Sequence, residues 1–247
     1  QRIRWIAGAY LLSTDRFIST ATSQDLGQGI VKVRRNARFN DPNNPTTTFL
    51  ADDNDNLAWA VFANVDTDLT DRLTLSASIR YDVDDREQRV SDQSQTGLAG
   101  VGEPGALKQE KFDSAQPQIS LSYDLGESWL AYASWGIGFR SGQFNQNGVG
   151  AVADSVGIRG VKDVVEQEDN SSAEIDFKGA MFGDRLQVSG AGFRTALDNA
   201  PYFVFIGELG TQVLVNIDEI EIWGGELEVR VTPMLGLEVY GSLGVTQ

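Results

Sequence analysis

Residues 73–83 read LTLSASIRYDV, in which the odd positions Leu73, Leu75, Ala77, Ile79, Tyr81 and Val83 are apolar or aromatic. The even positions Thr74, Ser76, Ser78, Arg80 and Asp82 are all polar. Successive side chains of a β-strand point to opposite faces, so a strict period of two places this segment between two solvents. The same split returns at Ile119, Leu121, Tyr123 and Leu125 against Gln118, Ser120, Ser122 and Asp124. It returns again at Ala173, Ile175, Phe177 and Met181 against Glu174, Asp176 and Lys178. Further copies run from Leu57 to Leu69, through Leu227, Val229 and Val231 against Glu226, Glu228 and Arg230, and from Leu235 to Val245. Helical spacing fits none of these windows as well.

The connections alternate as well. Thr70-Asp71-Arg72, Gly126-Glu127, Phe182-Gly183-Asp184 and Thr232-Pro233-Met234 read as tight hairpin links. Long polar stretches separate them, around Ser13 to Asn56, Asp84 to Gln116, Arg140 to Asn170 and Asp198 to Gln212. Short turns at one end and long loops at the other are the habit of outer-membrane barrels, and compact soluble domains rarely carry several long structureless loops. A strand of about eleven residues, rising ~3.3 Å each and tilted by ~45°, stands about 25 Å high, the height of a lipid-facing band. A soluble sandwich also alternates, but its strands usually run to only about five or six residues. Trp129 near a tight turn, with Trp135 and Phe139 on the same parity further along, fits rings at two water–lipid boundaries, or ordinary aromatic packing.

Composition narrows the function. The 247 residues carry 20 Lys+Arg against 35 Asp+Glu, a net charge of −15, with no basic run, so nothing favours binding a nucleic-acid backbone. There is no His and no Cys, which removes Ser-His and Cys-His nucleophile pairs, thiolate zinc sites and disulfides. We expect no catalytic residue, no resident metal and no cofactor. No run of apolar residues is long enough for a transmembrane helix, which leaves a membrane β-barrel open. Asp52-Asp53-Asn54-Asp55-Asn56 is rich in oxygen ligands but lacks the Gly and distal Glu of an EF-hand loop, and reads as a solvated loop.

FANVDTDLTDRLTL at 62–75, followed by IRYD at 79–82, resembles the barrel of TonB-dependent receptors. So do YASWGIGFRSGQFN at 132–145, EDNSSAEIDFK at 168–178 with FGDRL at 182–186 and Phe193, and Asn216 with GGELE at 224–228. Four ordered matches over most of the chain make a specific signal. Asp176 departs from the pattern, which usually has Gly there. The resemblance implies an all-β fold, an antiparallel transmembrane β-barrel segment of about nine strands out of the about 22 of a larger plugged barrel. Residues 1–247 then form a partial barrel domain with neither a plug nor a complete barrel.

The function so implied is energy-coupled import of a scarce bulky solute, such as an iron siderophore, across the outer membrane of a Gram-negative bacterium. This chain would supply wall and extracellular loops. The implied partners are outer-membrane lipid, the protein's own plug domain, the TonB–ExbB–ExbD system acting through the missing N-terminal part, and a small-molecule ligand. A passive porin-like channel is the alternative, and a barrel enzyme without His is a weaker one. Residues expected to face the lumen and the plug are Arg80, Asp82, Glu174, Asp176, Lys178, Glu226, Glu228 and Arg230. Ligand contact is expected on the loop residues Arg140, Ser141, Gln143, Phe144 and Asn145, where a structural strand exit is the competing role.

Overall fold

The computed structural model describes residues 2–23, 46–92, 94, 99–208 and 210–247. In chain order the elements are β1 (Ile3–Ser23), β2 (Thr46–Asp68), β3 (Leu73–Val90), β4 (Leu107–Gly126), β5 (Trp129–Arg140), β6 (Gln143–Phe144), α1 (Val149–Ser155), β7 (Val164–Val165), β8 (Glu168–Met181), β9 (Leu186–Ile206), β10 (Thr211–Met234) and β11 (Leu237–Thr246). Nine of them form one sheet in the order β1-β2-β3-β4-β5-β8-β9-β10-β11, while β6 and β7 pair separately. All pairings are antiparallel, and the expected number of strands is met. Among the described residues β1 and β11 have one strand neighbour each, so the sheet is open.

Register carries the two-residue rhythm across the sheet. One row reads Leu75, Leu121, Ala133, Ile175, Gly192, Gly225 and Val245, each facing the next on the neighbouring strand. The adjacent row reads Thr74, Ser122, Tyr132, Asp176, Ala191, Glu226 and Gly244. Partners in register share a face, so the apolar sets of separate strands merge into one apolar face and the polar sets into another. The apolar face is not covered: Ile79, Ile119, Ile175 and Leu227 are all exposed. Large rings lie on it. Trp129 stacks on Phe177 at 6.4 Å, and the two rings cover Gly179 and Gly190, where a Cβ would come within 2.1 and 2.6 Å of them. Toward the other end Trp59 meets Tyr81 edge to face at 5.9 Å, and the Tyr81 hydroxyl donates to Asp113 Oδ2 at 2.8 Å.

Three of the four tight links form where the sequence places them. In the first, Thr70 Oγ1 accepts the amides of Arg72 and Leu73. In the third, Phe182, Gly183 and Asp184 all take positive φ. The fourth is displaced: β10 runs on through Thr232 and Pro233 to Met234, and the chain turns at Leu235-Gly236, where Gly236 has φ 84°. The register shifts between Val231 and Met234, and a bulge is a position where a strand accepts proline.

The larger correction concerns the polar stretches. Most are not loops but continuations of the strands. β10, with 24 residues, measures about 80 Å along the chain and about 56 Å in height at a ~45° tilt, twice the apolar band. The stretch Asp198–Gln212 is the tip of a hairpin whose strands end only at Ile206 and restart at Thr211. Asp52-Asp53-Asn54-Asp55-Asn56 belongs to β2, paired with both β1 and β3, and Asp52 and Asn54 are buried. The middle of the stretch Ser13–Asn56, at 24–45, lies outside the described residues.

Candidate functional site

The eight polar-face residues singled out in the sequence share one face of the sheet, because each lies on the even parity of its strand and the registers carry no shift between those strands at that level. Arg80 already has partners there: its Nε lies 2.6 Å from Asp82 Oδ2, which also accepts from Gln116 Nε2 at 2.6 Å. Its guanidinium carbon is 6.0 Å from the ring centres of Tyr10 and Phe62, within cation–π range. Arg230 sits 3.7 Å from Glu228 and 3.5 Å from Glu238, while Lys178 and Glu228 line a hollow of about 510 Å³ at the short-turn end.

Asp176 is different. It is 7% exposed, and its Oδ2 has no hydrogen-bond partner among the described residues. Glu226 lies on the same row and Glu174 two residues away on the same strand, so three carboxylates converge on one patch. A buried acceptor without a donor is costly, and a carboxylate oxygen more so.

At the long-loop end, segment 141–167 folds back over the polar face instead of standing free. Its base is closed by Arg140 and Glu168, 2.6 Å apart across β5 and β8. Gly142 lies against the Phe112 ring, and its carbonyl accepts from Arg86 Nη1 at 2.8 Å. Gln143 and Phe144 form β6, and Phe144 places its ring 5.4 Å from Lys108 Nζ. Asn145, 7% exposed, uses its amide as an extra strand would: Oδ1 accepts from Leu214 N and Nδ2 donates to Leu214 O, both at 2.8 Å. Its backbone carbonyl accepts from Lys108 Nζ. Of the five loop residues, then, Asn145 is buried in the loop's own anchorage, Arg140 is exposed, and Ser141, Gln143 and Phe144 are half-buried.

Asp163 fixes the other half of the segment, accepting from the amides of Gly148 at 2.5 Å and Gly150 at 2.9 Å. Val149, Ala153 and Val161 then pack with Val101 of the β3–β4 loop and with Ile206 and Val213 of the β9–β10 tip. Arg86, Lys108, Phe112 and Asp163 were not singled out in the sequence, since they fall in stretches read as solvated loop. The valines and alanine of VGAVADSV at 149–156 were the available signal, being too apolar for a solvated loop.

Asp52 and Lys108 lie beyond the apolar band. Burial pushes the Asp52 carboxyl up to about 6, with the Lys108 charge opposing it. Burial pulls the Lys108 ammonium down to about 8, against the pull of Asp163 and Asp52. An acid whose pKa rises on folding holds its proton more tightly in the folded state, so the associated stability is present below about 4 and is lost as pH rises to about 6. Asp52→Asn removes that titration. The difference in melting temperature between variant and parent should therefore grow in favour of the variant from pH 4 to pH 6; a constant difference would contradict the burial of this carboxyl.

The family model described as "TonB dependent receptor-like, beta-barrel" matches residues 7–246. Among solved structures, the ferric yersiniabactin uptake receptor FyuA from Yersinia pestis is 16% identical with a TM-score of 0.63, covering 100% of this chain and 33% of its own. The siderophore receptor PiuA from Acinetobacter baumannii is 16% identical with a TM-score of 0.64, covering 99% and 35%. The copper transporter OprC is 11% identical with a TM-score of 0.67, covering 100% and 35%. The chain spans about a third of the length of these structures.

Proposed function

Because the chain belongs to the TonB-dependent receptor β-barrel family, a family of Gram-negative outer-membrane receptors and transporters rather than enzymes, we propose that it forms wall and extracellular loops of a receptor for energy-coupled import. On this reading the apolar face meets lipid, the polar face lines the lumen, the short turns lie in the periplasm and the long-loop end is extracellular. The cargo is a scarce bulky solute, and the metal-chelate cargo in the names of the neighbouring receptors makes an iron siderophore or similar chelate the class we favour. The plug domain belongs to the remainder of such a receptor, and the TonB–ExbB–ExbD system is the separate partner that drives it.

The observation that carries this reading is the patch of Glu174, Asp176 and Glu226 on the polar face. A cationic side chain of a plug satisfies the unpartnered Asp176 Oδ2, and a charge pair with a hydrogen bond offsets the burial of that carboxylate. Arg80, Asp82, Lys178, Glu228 and Arg230 add a mixed-charge surface on which a plug can rest. Solute contact falls to Arg140, Ser141, Gln143 and Phe144, with Asn145 holding their loop.

The test uses the full-length receptor in outer membranes. Glu174→Lys should lower uptake at least tenfold while surface binding of the solute persists, and collapsing the proton gradient should abolish uptake by the parent protein. Uptake that ignores both would assign the barrel to passive diffusion instead.

A further inference from the structure

Among the described residues of the long-loop end, three segments form one body. The β3–β4 loop, segment 141–167 and the β9–β10 tip share a single apolar cluster of Val101, Val149, Ala153, Val161, Ile206 and Val213. Backbone bonds join the pieces, Gly102 N donating to Asn147 O at 2.7 Å. Asn216 repeats the device of Asn145, accepting from Glu166 N at 3.0 Å and donating to Glu166 O at 3.1 Å. Segment 141–167 leaves the sheet at β5 and returns at β8, yet it is fastened to β3 and β4 through Arg86 and Lys108 and to β10 through Leu214 and Asn216. A loop tied on both flanks of its own strands has to cross the polar face between them.

Lys108 is the tie that can let go. It is 7% exposed and lies on the polar face of β4 opposite Gln88, donates to Asn145 O and stands over the Phe144 ring. Asp52 and Asp163 supply the opposite charge around it. The Asn145 carbonyl and the Phe144 ring both meet this one side chain. Arg86, by contrast, is also held by Asp84, its Nε donating to Asp84 Oδ2 at 2.7 Å.

We propose that residues 99–106, segment 141–167 and the strand ends 201–206 and 211–216 form one cap across the extracellular mouth of the lumen, and that Lys108 is the positioning residue that keeps it closed. Solute passage then requires the cap to open as a unit, not the displacement of a single loop. The proposal rests on the import reading only in taking the lumen as the solute's route.

Amide hydrogen exchange on the full receptor in detergent micelles or vesicles tests it. In the parent protein, residues 99–106, 141–167 and 201–206 should exchange through one common opening event, with equal opening free energies. Lys108→Met, which keeps an unbranched side chain one atom shorter and without the charge, should speed exchange in all three at least tenfold and leave residues 73–83 and 117–125 unchanged. Lys108→Arg should restore protection. Different opening free energies for the three segments in the parent, or faster exchange confined to 141–167 in Lys108→Met, would overturn the cap. If Lys108→Met does not insert into membranes, the parent measurement alone decides. Exchange reports on the cap whatever the barrel carries, so an energy-independent uptake result would sink the import reading and leave this one standing.

Discussion

Ile79→Arg should destabilise the membrane-inserted barrel by about 2–4 kcal/mol, while Ser78→Arg, one residue away, should be nearly neutral. Both positions sit in the middle of β3, paired with Ala63 and Asn64 on one side and with Pro117 and Gln118 on the other. Ile79 is 47% exposed on the apolar face, and its neighbours in register are apolar, so an arginine there has no acceptor within its own row. It must carry its charge into hydrocarbon or thin the lipid around it. Ser78 lies among Asn64, Gln118, Ser134 and Glu174 on the opposite face, around a hollow of about 590 Å³ that has both the space and the acceptors for a guanidinium. Reversible unfolding from lipid vesicles measures both costs. Equal costs at 78 and 79 would mean that the two faces do not meet different solvents.

Gly148→Ala should open the cap, and Gly157→Ala should barely disturb it. The two glycines have nearly the same backbone, with φ of 83° and 85°, so either substitution carries the cost of a left-handed alanine, about 1–2 kcal/mol. Only Gly148 carries more. A Cβ there would stand 2.0 Å from the carbonyl oxygen of Gly100, against nothing within 4 Å at Gly157. The obstruction is backbone in a different loop, so it is relieved only by moving the β3–β4 loop away from segment 141–167. The Gly148 amide also donates to Asp163 Oδ2 at 2.5 Å, so a shift of residue 148 unsettles the start of α1 as well. Loss of exchange protection over 99–106, 141–167 and 201–206 together in Gly148→Ala, with protection kept in Gly157→Ala, is the expected pattern.

The sequence was legible where two different solvents act on one strand. From Leu73 to Val83 a single residue step changes the solvent, selection on each face is opposite, and the parity is written without exception. Beyond the band neither face of the same strands meets hydrocarbon, and the pattern fades: Asp52 to Asn56 is polar at every position and yet is β2. At the β9–β10 tip the failure is the reverse, since Tyr202, Phe203, Val204, Phe205 and Ile206 are apolar at both parities. There Val204 and Ile206 pack on the cap while Phe203 and Phe205 stay exposed, a division that hydropathy alone does not encode. In the last hairpin Pro233 reads as a turn residue, whereas the positive φ needed for the turn falls on Gly236.

The polar face was legible as a set of positions but not as a set of partners. Arg80 and Asp82, two residues apart, are on one face by parity alone, whereas the convergence of Asp176 with Glu226 needs the register of β8, β9 and β10 together. Asn145 illustrates the limit from the other side. In the sequence it closes a motif that resembles a strand exit and loop; in the fold its side chain bonds the backbone of Leu214 in β10, 69 residues further along the chain.

A spin-label scan of residues 73–83, with a cysteine introduced at each position in turn, tests the central claim most directly. In the full receptor in lipid vesicles, oxygen, which partitions into hydrocarbon, should relax labels at 75, 77, 79 and 81 most strongly. A water-soluble nickel chelate should instead favour 74, 76, 78 and 80, giving two curves of period two in opposite phase. Two curves that rise and fall together, or oxygen accessibility that does not alternate, would contradict a wall with lipid on one side and an aqueous lumen on the other.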